Sequence, residues 1–317
     1  MQIQGRLTRK ILAGFLLSLI AIGCLGLCLL VVIHIHPPLG VWLLGAFQRQ
    51  YAMCGASDFY SGARERVRLN EERGIVGHES RLLRTDGPYQ LWETPHAQYW
   101  IPRGNENALH MIVAQQMVGL YDVAGSGARK GDVVLDCGAH VGIYTREVLK
   151  RGARKVIAIE PAPANVECFR RNFPQELASG RVVLLAAGVW DRDDALPLYE
   201  NPANTSGDAF VAPDPHQRQV GQIPLTTIDE IVARLNLERV DVIKMDIKGA
   251  TERALRGAAG TIQRFEPLVV VSTEEKEDPP DLLVALMRRL QPRYRVRCGV
   301  CSVEGRVVHP DVLAFIP

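Results

Sequence analysis

The chain has 317 residues, of which 47% are apolar and 23% charged, with a formal net charge of +2 at neutral pH. That balance excludes a disordered chain, and the length allows one large domain or two small ones. A nearly neutral chain whose basic clusters are as short as Arg64, Arg66 and Arg68 also argues against a nucleic-acid surface; those arginines read as a solvated helix face or as neighbours of anionic lipid headgroups.

Ile11 to Ile33 is an almost unbroken apolar run without a charge. As a helix it reaches roughly 35 Å, enough to cross a hydrocarbon core. A signal-peptide core would be shorter and followed by a small-residue cleavage site, which is missing here. Residues 1–36 are therefore expected to form an uncleaved, single-pass membrane anchor, stopped by Pro37 and Pro38. Val41 to Phe47 is too short to span and is expected at the interface or against the globular part. Residues 37–84 read as a juxtamembrane linker, helical and rich in Arg and Glu from 48 onward.

Residues 85–317 read as the globular domain, with a cap (85–130) and a core (131–317). In the cap, Tyr89–Trp92 and Gln98–Ile101 are predicted strands around a turn at Thr94-Pro95-His96. Asn107 to Tyr121 has helical apolar spacing. The core alternates strand and helix. The strands are Asp132–Asp136, Lys155–Glu160, Arg181–Ala186, Asp241–Asp246 and Leu268–Ser272. The helices are Val141–Arg151, Pro163–Phe173, Thr227–Leu237, Thr251–Gln263 and Pro279–Leu290. Strands near Tyr294–Arg297 and Val312–Ile316 end the domain. This alternation predicts an α/β fold, a parallel sheet covered by helices on both faces.

The seven cysteines are odd in number and scattered, which predicts no disulfide framework. Cys298-Gly-Val-Cys301 lacks a second pair or histidines at zinc-ligand spacing, so no metal site is expected.

Two strand ends carry the chemistry. Asp136-Cys-Gly138-Ala139-His140-Val-Gly142 joins a buried strand to a helix. In open α/β sheets, ligands bind at such carboxyl ends, near the point where strand order reverses. Gly138 would let the backbone approach a ligand, and Gly142 would let helix and strand pack closely. The glycines read G-x-x-x-G, so the dinucleotide pyrophosphate cradle is missing. Glu160, ending the next strand, suits the two hydroxyls of a ribose. Alone, Gly138 could be a simple turn and Glu160 a solvated strand end; their order and spacing together argue for a cofactor site.

With Ile159-Glu160-Pro161 and Ile243-Lys244-Met245-Asp246-Ile247-Lys248-Gly249-Ala250, these residues make the chain from about Tyr89 resemble the FkbM family of methyltransferases that use S-adenosylmethionine (SAM). The resemblance implies a class I methyltransferase, Rossmann-like fold and methylation of a hydroxyl on a sugar, lipid-linked glycan or natural product. It implies that Asp136, Gly138, Ala139, His140 and Gly142 hold the methionine end of SAM and Glu160 its ribose. The chain departs from the family at Lys248, Thr251 and Ser272, where acidic residues are usual; Glu274 and Glu275 lie just beyond.

Asp246 is the expected base or acceptor-orienting group, with Lys244 as its partner on the same strand face. The loop Asn201–Asp208 is a candidate acceptor contact. The partners expected are a small-molecule or glycan acceptor and the membrane, not nucleic acid. Arg6, Arg9 and Lys10 favour a cytoplasmic N-terminus, whereas cofactor supply favours a cytoplasmic domain, and the latter is followed here. Two alternatives stay open: a SAM-binding membrane protein that has lost catalysis, and an NAD-type oxidoreductase, disfavoured by the missing glycine.

Overall fold

The computed structural model describes residues 20–24, 26–28, 31, 35–47, 53, 55–200, 218–273, 278–304 and 307–317. Of the expected membrane run Ile11–Ile33, the described residues are helical and the remainder lie outside the described residues. Among the described residues, no helix is long and apolar enough to cross a membrane, and the expected spanning helix has no support there.

The core is a seven-stranded sheet in the order β12-β15-β11-β10-β4-β5-β6. These strands are β4 (Val133–Cys137), β5 (Lys155–Ile159), β6 (Val182–Leu185), β10 (Val242–Met245), β11 (Leu268–Ser272), β12 (Arg295–Cys298) and β15 (Val312–Ile316). β4 is buried at every position, as a central strand covered on both faces must be. Alternate residues sort onto two faces. Leu135, Ile157, Ile243 and Val269 meet the helices α7 (Ile228–Arg234), α8 (Thr251–Arg256), α9 (Ala259–Phe265) and α10 (Pro280–Leu290). Val134, Val156, Val242 and Val270 meet α4 (Ile143–Lys150) and α5 (Pro163–Asn172). α6 (Pro174–Ala178) follows α5. Thr227 caps α7, its hydroxyl accepting from the Glu230 amide at 3.0 Å.

The sheet is mixed where the alternation predicts it parallel. β15 runs antiparallel to both β11 and β12. The reason is the connection: β12 reaches β15 through the hairpin β13 (Cys301–Glu304) and β14 (Val307–Pro310), not through a crossover helix. Strand order runs outward from β4 to β6 on one side and from β10 to β11 on the other, so it reverses between β4 and β10. That is where a ligand site belongs.

The residues before the core are part of its packing. α1 (Pro37–Phe47) places Val41 and Leu44 against the core. α2 (Ala56–Glu79) buries Phe59, Ala63, Leu69 and Val76 and is anchored on the domain, not strung out as a linker. Asp58 of α2, 3% exposed, is gripped by Arg297 of β12 at 2.8 Å and 2.9 Å and accepts from the Cys298 amide. Cys298 is disulfide-bonded, which the scattered cysteine spacing did not indicate because pairing follows proximity in space. Cys301 is free and buried.

The cap holds β1 (Arg81–Asp86), β2 (Tyr89–Glu93) and β3 (Gln98–Pro102) as a three-stranded sheet, then α3 (Glu106–Met117). Tyr99, Ile101, Leu109 and Val113 share a cluster with Val141 and Ile143 of the core, which sets α3 over the β4 turn. A second small sheet has the order β7-β9-β8, from β7 (Gly188–Val189), β8 (Asp194–Glu200) and β9 (Arg218–Thr226).

Candidate active site

A pocket opens at the carboxyl ends of β4, β5 and β10, beneath the cap. Its walls come from the β4 turn (Gly138, Ala139, His140), the end of β5 (Ile159, Glu160, Pro161) and the segment after β10 (Asp246, Ile247, Lys248). Gln116 and Tyr121 close it from the cap.

The β4 turn is built from left-handed backbone. Gly138 has φ 77°, His140 φ 50° and Gly142 φ 92°. The glycines answer to packing. A Cβ on Gly138 would collide with the backbone carbonyl of Asp246, and one on Gly142 with the rings of Phe173 and Phe169. Gly138 thus lets β10 come close, where the sequence suggested an approach to a ligand, and Gly142 seats α4 against α5.

Asp136 does not line the pocket. It is fully buried beneath the floor, where Thr145 Oγ1 donates to it at 2.7 Å and Lys244 Nζ at 3.1 Å. Lys244 also donates to the Gly138 carbonyl at 2.8 Å and sits over the rings of Tyr121 and Tyr144. The pairing expected between Lys244 and Asp246 is therefore made with Asp136, because the two residues face each other across adjacent parallel strands. Burial disfavours the Lys244 ammonium, but Asp136 and Asp246 outweigh it and hold its pKa above the usual lysine range.

Glu160 reaches the pocket from β5, 4% exposed. It accepts from the His140 amide at 2.8 Å, the Ala162 amide at 3.0 Å and Asn165 Nδ2 at 3.1 Å. Burial nevertheless raises its pKa, against the pull of these donors.

Asp246 follows β10 directly. Tyr121 Oη donates to its Oδ2 at 3.0 Å, and Lys248 Nζ stands 3.8 Å from its Oδ1. Burial works to raise its pKa, but Lys248, Lys244 and the Tyr121 hydroxyl prevail and lower it. Burial drives His140 down to about 4, with Asp246 opposing and Lys244 assisting, so its imidazole is neutral at pH 7.

The structure thus brings Gly138, Ala139, His140, Glu160, Lys244 and Asp246 to one pocket and leaves Asp136 and Gly142 as its support. Tyr121, Gln116, Asn165 and Lys248 belong to the pocket but were not singled out as site residues from sequence. Tyr121 and Gln116 lie in the cap, and nothing local marks them as facing a strand end over 100 residues later. Lys248 was legible as a departure from a family pattern, without its contact to Asp246. Ser272 is absent from the pocket lining, and Asn201–Asp208, Glu274 and Glu275 lie outside the described residues. Thr251 opens α8, whose N-terminus is capped by Asp278, accepting from the Thr251 and Glu252 amides at 2.8 Å and 3.0 Å.

A Rossmann-like sheet with one antiparallel strand, and a pocket at its switch point, defines a domain of the methyltransferase type. The model of the FkbM methyltransferase domain matches residues 136–295. The chain belongs to the FkbM methyltransferase family. Among curated proteins it is 25% identical to the methyltransferase sdnD of Sordaria araneosa, over 49% of this chain and 70% of that protein. It is 24% identical to methyltransferase 1 of Beauveria bassiana, over 39% of this chain and 57% of that protein. It is also 25% identical to the hexuronic acid methyltransferase AglP of Haloferax volcanii, over 49% of this chain and 61% of that protein. The solved structure of methyltransferase FkbM from Methylobacillus flagellatus aligns with 81% of this chain and 61% of that one, at 17% identity and a TM-score of 0.42.

Proposed function

We propose that this chain transfers a methyl group from SAM to a hydroxyl of a sugar-like or natural-product acceptor. The observation that carries the reading is Glu160: a carboxylate fixed by three N–H donors at the end of β5, facing the same pocket as Asp246.

The residues fit SAM. A carboxylate has about four acceptor positions, so three donors leave Glu160 capacity toward the pocket, as a ribose hydroxyl requires. Ile159, Ala187 and Val189 beside it offer an apolar wall for a base. The turn Gly138-Ala139-His140 would receive the methionine end. Asp136 supports that turn through Lys244, which donates to the Gly138 carbonyl. Bound SAM supplies an electrophilic methyl group on a sulfonium.

What the chain contributes is alignment and a place for the acceptor hydroxyl. Asp246, ionised at neutral pH, is suited to accept a hydrogen bond from that hydroxyl. Its lowered pKa makes it a better orienting group than a base. AglP, a hexuronic acid methyltransferase, supports a sugar-like acceptor.

A membrane location belongs to the same proposal. It rests on the run Ile11–Ile33, of which Ile20, Ile22, Leu27 and Val31 are exposed. Cofactor supply favours the cytoplasmic side for the domain, while the disulfide of Cys298 favours an oxidising one. Protease protection in sealed vesicles decides between them.

Calorimetric titration of SAM into the full chain, beside Glu160→Gln, tests the central reading. Micromolar binding weakened by the variant is expected. A folded protein that takes up no SAM overturns it, and binding without turnover on any acceptor would favour the catalytically silent alternative.

A further inference from the structure

The methionine end of SAM finishes in a carboxylate, which needs N–H or O–H donors. The turn beneath it has few to give. The Gly138 and Ala139 amides both donate to the Ile159 carbonyl, at 2.9 Å and 3.1 Å, and the Gly142 amide donates to the Ala139 carbonyl at 2.8 Å. The His140 amide is given to Glu160. Under the turn, Lys244 is engaged by Asp136 and the Gly138 carbonyl, and Tyr121 Oη donates to Asp246.

A donor stands above the turn instead. Leu109 and Val113 of α3 pack with Val141 and Ile143, which lays the helix over the β4 turn. Ile112 and Gln116, one helical turn apart on α3, both line the pocket. Gln116 is 5% exposed, and its Nε2 is buried with no hydrogen-bond partner among the described residues. Buried donors without a partner are few in native folds, because each forfeits its hydration for nothing. A partner that arrives with the ligand accounts for this one.

We infer that Gln116 is the cap's contact to the cofactor, its side-chain amide donating to the α-carboxylate of SAM. The inference rests on the methyltransferase reading and adds the residue that reads the amino-acid end of the cofactor.

The chemistry of the amide suits this place. It donates to an anion without carrying a charge of its own. A lysine or arginine in its stead would bond the carboxylate but also repel the sulfonium a few bonds away. The contact comes from α3, so the cap supplies one end of the cofactor site while Glu160 supplies the ribose end from the sheet.

The test is calorimetric titration of the full-length chain with SAM and with decarboxylated SAM, which carries hydrogen where SAM carries the carboxylate. Wild type is expected to bind SAM about tenfold more tightly, which corresponds to about 1.4 kcal/mol. Gln116→Met, of similar length, is expected to weaken SAM by that factor and leave decarboxylated SAM unchanged, so that the preference disappears. Without ligand it is expected to melt no lower than wild type, since it removes an unpaired donor. Gln116→Glu sets one carboxylate against another and is expected to reverse the preference; either variant decides should the other fold poorly. A wild type indifferent to the carboxylate, a preference that survives Gln116→Met, equal loss of both ligands, or a ligand-free Gln116→Met that melts lower overturns the inference. Wild type that takes up neither ligand refutes the methyltransferase reading itself, whereas uptake without this coupling refutes the role of Gln116 alone.

Discussion

Lys244 and Asp136 lie opposite each other in the register of β10 and β4 and join across it in a buried ion pair of 3.1 Å. The pair locks the two strands at the point where sheet order reverses, directly under the pocket floor. A buried pair of this kind adds little net stability over apolar residues, but breaking it leaves a lone charge in the core. Lys244→Met is therefore expected to cost about 3–5 kcal/mol, read by urea unfolding. The double variant Asp136→Asn, Lys244→Met is expected to recover most of that loss, since neither charge remains. Because the Lys244 pKa is raised, the pair's contribution holds at neutral pH and fades only as pH climbs past 10.5. Strictly additive losses in the two single variants would show that the residues do not act as a pair.

Gly138 and Gly142 share a positive φ but not the same neighbours. A Cβ at 138 meets the Asp246 backbone, which cannot move without shifting β10; a Cβ at 142 meets phenylalanine rings, which can rotate. Each alanine carries a left-handed strain of roughly 1–2 kcal/mol. Gly138→Ala is expected to add a clash and lose the soluble, cooperatively folding protein. Gly142→Ala is expected to fold with a lowered melting temperature. Equal melting temperatures for the two would contradict this account of the turn.

The core was legible because its strands are buried on both faces and read as apolar runs, and because Asp136-Cys-Gly138 and Glu160-Pro161 fall at strand ends. Other parts were not, for identifiable reasons. β8 contains Pro197 and β9 contains Pro224, residues that argue against a strand. They are tolerated because β8 is an edge strand and β9 pairs with β7 only at Leu225 and Thr226. β1 is exposed at every position and offered no alternating pattern. α2 is mostly polar, yet Phe59, Ala63, Leu69 and Val76 fall on one stripe, a signal the residues do contain. In the site, the strand-end residues could be read and their partners could not. Tyr121 reaches Asp246 across 125 positions, a contact set by the docking of the cap.

That contact gives a prediction of its own. Tyr121 Oη is the hydrogen-bond donor that helps keep Asp246 ionised, together with Lys248 and Lys244. Tyr121→Phe removes the donor and keeps the ring over Lys244. The Asp246 pKa is expected to move upward, followed through its carboxyl carbon by NMR. If Asp246 orients the acceptor as proposed, the acidic limb of the methyl-transfer profile is expected to shift to higher pH in step. An unmoved Asp246 titration in a folded variant would remove Tyr121 from the site.

His140 gives the domain a dependence on acid. Its ordinary pKa of 6.5 falls to about 4 in the folded chain, so between those values the unfolded chain binds the proton more readily. The stability it confers is complete above pH 6.5 and is lost as pH falls toward 4, up to about 3 kcal/mol at full effect. Glu160, whose pKa is raised by burial, acts in the opposite sense, so the raw stability curve mixes the two. Replacing the histidine by asparagine isolates its share. Asparagine accepts the φ of 50°, and the backbone amide that donates to Glu160 remains. The stability difference between wild type and His140→Asn, measured by urea unfolding at successive pH values, is expected to be level above pH 6.5 and to shift steadily against the wild type below it. A difference that stays level down to pH 4 would mean that His140 takes up its proton in the folded chain as readily as in water. It would then sit in a pocket open enough to hydrate it, and the neutral imidazole beside Asp246 would have to be abandoned.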